Sequence, residues 1–120
     1  MNVRWYAHHF DDASYLLWTV KGMSTKELSR RKLLNVVANT TTNFRKETNA
    51  GDLLVIRGGF TGVGNKSVRL YLEMANADNG DVCADQTVTE VFFDAEKRCS
   101  TAIPDDIRRL LQSVIVQADD

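Results

Sequence analysis

The chain has no apolar run near the roughly 18 residues that a membrane-spanning helix needs, and its start carries no secretory leader pattern. The location expected from these two absences is the cytoplasm. An excess of charge of either sign is also missing: 15 basic residues stand against 16 acidic ones, for a net charge of −1. No basic field therefore advertises nucleic acid or a lipid surface, and neither is expected as a partner. Proline occurs once, and there is no repeat or low-complexity stretch to read as a linker. There are only two cysteines, Cys83 and Cys99. Their separation fits neither a zinc site nor a disulfide framework, so they read as reduced thiols. The two histidines, His8 and His9, are adjacent, so on a helix they point about 100° apart and cannot share one metal ion. No Ser-His-Asp arrangement is legible.

What remains is 120 residues, 43% of them hydrophobic, enough for one domain spanning residues 1–120 with a real core. Val3, Tyr6, Ala7, Phe10, Ala13, Ser14, Leu17 and Val20 recur at three- and four-residue steps and predict a long helix. Its opposite face carries Arg4, His8, Asp11, Asp12 and Tyr15, and Gly22 stands where a C′ glycine would end it. Ser24 and Glu27 form a capping-box pattern that opens a second helix, expected to run to about Leu34. The period then changes. "NVVANTTTNFRKE", "DLLVIRGGFTGVG", "NKSVRLYLEMANAD" and "DVCADQTVTEVFFD" read as four strands of a meander, with Asn79-Gly80 a hairpin signal before the fourth. Gly58-Gly59 suggests a bulge or a close backbone approach. Pro104-Asp105-Asp106 opens a last helix to about Val114. Helices and strands are segregated, so the class is α+β with an antiparallel sheet, one face of which packs on the long helix.

These segments together resemble a known family. Asn2 and Tyr6 match the second half of a pattern Asp-x-x-Gly-His-x-Asn-x-x-x-Tyr, and "FDDA" at Phe10–Ala13 matches the acidic stretch that follows it. "TTTNFRKETNAGDLLVI", "VGNKSVRL" and "FFDAEKRCSTAIPDDIRRLL" match later strands, turns and the tail. The chain resembles hot-dog fold acyl-CoA thioesterases of the 4-hydroxybenzoyl-CoA thioesterase type, and "MNVRWYAHHFDDAS" is similar to the betainyl-CoA thioesterase branch, linked to carnitine breakdown. The resemblance implies a curved antiparallel sheet wrapped around the long helix, an acyl-CoA substrate, no cofactor beyond the CoA of that substrate, and a homodimer or dimer of dimers with the CoA site between protomers. The family's first strand and the Asp-x-x-Gly-His half of the pattern would lie ahead of Met1, so the expectation is four strands, impaired activity and an uncovered sheet edge.

Thioester hydrolysis needs a nucleophile or activated water and donors for the developing oxyanion. With the family's aspartate absent, Asp11, which matches the acid in the family's helix, is the first candidate base; a charged helix residue is more often just a solvated or dimer-facing carboxylate. The resemblance puts Asn2 beside the thioester carbonyl at the helix start, where free backbone N–H groups gather. It also puts Gly64, Asn65, Lys66 and Ser67 against the CoA arm, with Lys66 on a phosphate and the turn's N–H groups available to it; a plain polar turn explains the same residues. Tyr6 joins the substrate-binding set, and Trp5, Phe10 and Trp18 are further candidates for an acyl pocket, although helical spacing favours the core for Phe10. Three functions compete: a thioesterase-like enzyme hydrolysing a small acyl-CoA, a non-catalytic hot-dog module binding acyl-CoA or partner subunits, and a hot-dog dehydratase. No helix histidine and acid can be assigned to the last.

Overall fold

The structure is a computed structural model that describes residues 3–20, 22–49 and 51–115. Helix α1 spans Val3–Val20. It ends on a Schellman motif: Gly22, at φ +85°, donates to the Thr19 carbonyl at 3.0 Å, and Met23 donates to that of Trp18 at 2.9 Å. The glycine has no Cβ to oppose this left-handed conformation. Ser24 caps α2, its hydroxyl accepting from Glu27 N–H at 3.2 Å. The Glu27 carboxylate does not complete the capping box. It takes hydrogen bonds from Arg30 and Arg31 instead.

Helix α2 stops at Arg30, short of the expected Leu34, because Lys32 turns to φ +59° and Leu33 begins the first strand. The strands are β1 (Leu33–Phe44), β2 (Leu54–Val63), β3 (Ser67–Asn76) and β4 (Val82–Asp94), with a two-residue β5 (Cys99–Ser100) beyond those expected. Helix α3 spans Asp105–Ser113. All the pairings are antiparallel.

The strand order is β1-β4-β3-β2, with β5 on β4, and this corrects the meander. The chain leaves β1 at one edge and enters β2 at the other. Residues 45–53 make the crossing past the sheet's end: Arg45 and Lys46 donate to the Cys83 carbonyl, and Ala77 donates to that of Leu53. Thr48, midway along, is buried and bonded to the Tyr6 hydroxyl at 3.1 Å, which pins the crossing to α1.

Register shifts at Val37/Asn39, Phe60/Gly62 and Met74/Ala75 bend the sheet. Val68, Leu70, Leu72 and Met74 of β3 and Ala84, Val88 and Phe92 of β4 are buried with Tyr6, Phe10 and Trp18 of α1 in one cluster. Alternate residues therefore face the helix. Phe10, Phe60 and Phe92 are fully buried, each worth about 1.5–3 kcal/mol relative to exposure. Ser14 and Leu17, expected in the core, are half-buried. The side chains of Val3 and Ala7 lie outside those described. Ile107 and Leu111 of α3 are buried in the same core cluster, and Arg31 binds Asp106 at 2.7 Å across α2 and α3. Among the described residues, no helix is long and apolar enough to cross a membrane.

Candidate functional site

Short α2 turns away after Met23, and a cavity of about 520 Å³ opens between α1, α2 and the β1 side of the sheet. Met23, Leu28, Leu33, Leu34 and Val37 make its wall largely apolar. The polar groups that reach it are Asp11 and Ser14 of α1, Ser29 of α2, Asn35 of β1 and Glu90 of β4.

Glu90 occupies an inward register position, opposite Val68, between Val88 and Phe92. It is 95% removed from solvent. The Trp18 indole N–H donates to its Oε1 at 2.9 Å, and the indole is held edge-on by Phe60 and Phe92, with ring centroids 4.8 and 5.8 Å away. Burial pushes the Glu90 carboxyl above the usual carboxylate range; the Trp18 hydrogen bond opposes this, and the charge of Asp11 adds to it. Asn35 Oδ1 is buried with no hydrogen-bond partner among the described residues. Asp11 is exposed. The arrangement therefore offers a largely apolar cavity lined by an exposed carboxylate, Asp11, and a buried carboxyl, Glu90, with the buried acceptor of Asn35 beside it.

Of the residues singled out from sequence, Asp11 and Trp18 meet at this cavity. Tyr6 is placed elsewhere: it is buried, its hydroxyl is engaged by Thr48, and its ring meets Phe44 edge-on at 5.0 Å. Phe10 is core. Asn2 lies outside the described residues, and so does the Trp5 side chain. His8 and Asp12 form an exposed pair at 3.6 Å.

Gly64, Asn65, Lys66 and Ser67 form the β2–β3 turn, apart from the main cavity. Gly64 and Ser67, with Arg69 and Thr89, line a separate hollow of about 260 Å³. The Gly64 N–H is spent on the Ser67 carbonyl at 2.8 Å, so it is not free for a phosphate. Lys66 is exposed, its Nζ 3.3 Å from the Ser100 hydroxyl. Arg108 of α3, which sequence reasoning missed, donates at 2.9 Å to the carbonyls of both Gly64 and Asn65. Its guanidinium thus joins Lys66 and Arg69 around the turn. Glu90 and Asn35 were missed as well. The signal for Glu90 was a carboxylate where the alternation of β4 calls for an apolar residue.

The sequence matches the Thioesterase-like superfamily over residues 1–111. Among functionally curated proteins, none matches it. Solved structures share the fold at low identity. A hypothetical protein from Staphylococcus aureus, determined in complex with CoA, is 18% identical, with a TM-score of 0.90 over 100% of this chain and 77% of that one. A predicted thioesterase from Bacillus stearothermophilus is 24% identical, with a TM-score of 0.84 over 99% of this chain and 86% of that one. A 1,4-dihydroxy-2-naphthoyl-CoA thioesterase from Synechocystis is 12% identical, with a TM-score of 0.82 over 93% of this chain and 82% of that one.

Proposed function

Because the chain belongs to the Thioesterase-like superfamily, we propose that it is an acyl-CoA thioesterase-like protein that hydrolyses a small acyl-CoA thioester to the free acid and CoA. The observation that carries this reading is the cavity between helix and sheet, with Asp11 among its lining residues. Its volume of about 520 Å³ suits a small ligand. The CoA complex of the S. aureus neighbour supports CoA as the carrier.

In this reading Asp11 takes a proton from water as the water attacks the thioester carbonyl carbon. The C–S bond then breaks and CoA leaves as the thiolate, which acquires the proton. Asn2 and the N–H groups at the start of α1 polarise the carbonyl; Tyr6, buried and bonded to Thr48, takes no part. Gly64, Asn65, Lys66 and Ser67 receive the CoA arm, with Lys66, Arg69 and Arg108 supplying positive charge for its phosphates. The branch we assign is the 4-hydroxybenzoyl-CoA type, with the betainyl-CoA branch as its narrower form.

The turn and the main cavity are separate within one chain, so we place the complete site between two copies in a homodimer or dimer of dimers. Strand β1 supports this arrangement. Its Leu34, Val36, Val37 and Phe44 are exposed, it carries no charge or proline, and Leu34 and Val37 also line the cavity.

Thiol release from a panel of short acyl-CoA thioesters tests the proposal. Asp11→Asn should lower kcat by at least about 100-fold with KM little changed, the scale of a lost general base. CoA binding without thiol release from any thioester would support the second reading, a non-catalytic module. The solvent exposure of Asp11 favours that reading, because a base in a water-filled site gains little from its surroundings.

A further inference from the structure

Glu90 stands at an inward register position with apolar partners on both neighbouring strands, Val37 of β1 and Val68 of β3. Val88 and Phe92, the inward residues on either side of it in β4, are buried. From α1 the Trp18 indole donates to Oε1, and Asp11 acts on the carboxyl through charge. From α2, Leu28 and Ser29 line the cavity that Glu90 borders. Strand β1 carries no charged residue. Among the described residues lining the cavity, Asp11 and Glu90 are the titratable ones, and no lysine, arginine or histidine stands there to offset a negative charge. An ionised Glu90 thus has one fixed donor, and solvent entering the cavity past exposed Asp11 must supply the rest of its solvation. An apolar ligand that fills the cavity displaces that solvent, and the loss disfavours the charged form of a carboxyl.

We propose that occupancy of this cavity is linked to a proton on Glu90: an uncharged apolar ligand enters with uptake of a proton by that carboxyl, and its affinity falls as pH rises. Glu90 is then the pH-sensing residue of the cavity, a role separate from base chemistry at Asp11. The carboxylate and one solvent proton become the neutral carboxyl, and no bond of the ligand changes. The sign follows from linkage. The ligand prefers the protonated form, so affinity is full below the pH at which Glu90 titrates in the unfilled cavity. Above that pH it falls tenfold per pH unit, until the pH at which Glu90 titrates in the filled cavity is reached. Burial already holds the carboxyl above its ordinary 4.5, against the Trp18 hydrogen bond and aided by the charge of Asp11, so the fall begins above pH 4.5. The proposal rests on the thioester reading only in making an acyl group the natural occupant.

The probe is p-xylene, which has no titratable group, so any pH dependence of its binding belongs to the protein. Calorimetric titration of the full chain from about pH 4.5 to about pH 9, repeated in buffers of different ionisation enthalpy, reads affinity and proton uptake together. p-Xylene should bind at least about tenfold more weakly at the alkaline end, the difference that one pH unit of linkage gives, with proton uptake greatest where the affinity is falling. Glu90→Gln keeps an acceptor for the Trp18 indole but cannot titrate, so its affinity should be level across the range and its uptake zero. Asp11→Asn removes the opposing charge, so the fall should persist and begin at lower pH. The proposal is overturned if p-xylene binds the parent equally across the range or at no pH, if Glu90→Gln keeps the parent's pH dependence, or if Asp11→Asn abolishes it. Where Glu90→Gln does not fold, the parent profile and Asp11→Asn still decide, because a fall lost with Asp11 assigns the proton to Asp11. Thiol release does not enter this readout, so a failure here leaves the thioesterase test standing, and the reverse also holds.

Discussion

Gly58 sits in β2 opposite Leu72, where the sheet bends around α1. A Cβ built there would lie 2.5 Å from the Tyr71 carbonyl oxygen and 2.5 Å from Leu72 Cδ2. The backbone oxygen cannot swing aside as a flexible side-chain end could, so Gly58→Ala must push two paired strands apart. Overpacking of this kind costs about 1–3 kcal/mol. Among the described residues β2 is paired on one side only, so it can yield outward, and we expect the lower half of that range. Gly62, four residues on in the same strand, is the control. Its Cβ would meet nothing closer than Arg69 Cβ at 3.8 Å, an ordinary contact. Gly62→Ala should therefore be neutral or stabilising by up to about 1 kcal/mol, because alanine loses less backbone freedom on folding. Urea unfolding of the three proteins at one concentration measures both effects; each kcal/mol lost should appear as about 4 °C in Tm. Equal stability of Gly58→Ala and the parent, or equal losses for the two variants, would refute the claim that close backbone approach is why position 58 is glycine.

Arg30 and Arg31 hold the Glu27 carboxyl at about 2, below its ordinary 4.5. The folded value is the lower one, so the stabilisation is complete above the ordinary value and drains as pH falls from 4.5 towards about 2; the gap in urea midpoint between parent and Glu27→Gln should close over that window, and it should be small because the group is solvent-screened. Lys66→Glu should change folding stability by about 0.5 kcal/mol or less, yet weaken CoA binding at low salt, with the difference shrinking as salt rises; equal affinities in calorimetric titration at low salt would leave Lys66 an ordinary turn residue. Sedimentation should show a dimer, and Val36→Lys, placing a charge on the exposed edge strand, should shift it toward monomer; a stable monomer of the parent at micromolar concentration would remove the interfacial site.

The parts of the fold legible in the sequence were those set by neighbours in the chain. The α1 stripe, its glycine stop and the Ser24 cap each depend on residues within a few positions of one another. The Asn79-Gly80 signal marked the β3–β4 hairpin, although the turn spans residues 77–81, with Gly80 at φ +80° donating to the Asn76 carbonyl. The pairing of β1 with β4 was not legible. It joins Leu33 to Asp94 and Phe44 to Ala84, and no local pattern distinguishes that partner from β2. What decides it is the crossing of residues 45–53, held by Thr48 on Tyr6 and by carbonyls at the sheet's end, which are contacts visible only in three dimensions.

The same division runs through the site. Asp11 was picked out because it matches the acid in the family's helix, but its meaning depended on what lay across from it, and that is Glu90, 79 positions along the chain and coupled to it through charge. Glu90 left a trace that only knowledge of the strand's face could turn into an inference. With Val88 and Phe92 inward, an intervening acid in phase must be buried too, and a buried acid needs a donor. Trp18 supplies one, from a core position that also lines the cavity. Replacing the carboxyl by a leucine would keep the strand's alternation and satisfy every rule of packing, and it would leave the indole N–H without its partner. The acid is thus tied to the fold through the Trp18 indole, and from the same position it lines the cavity.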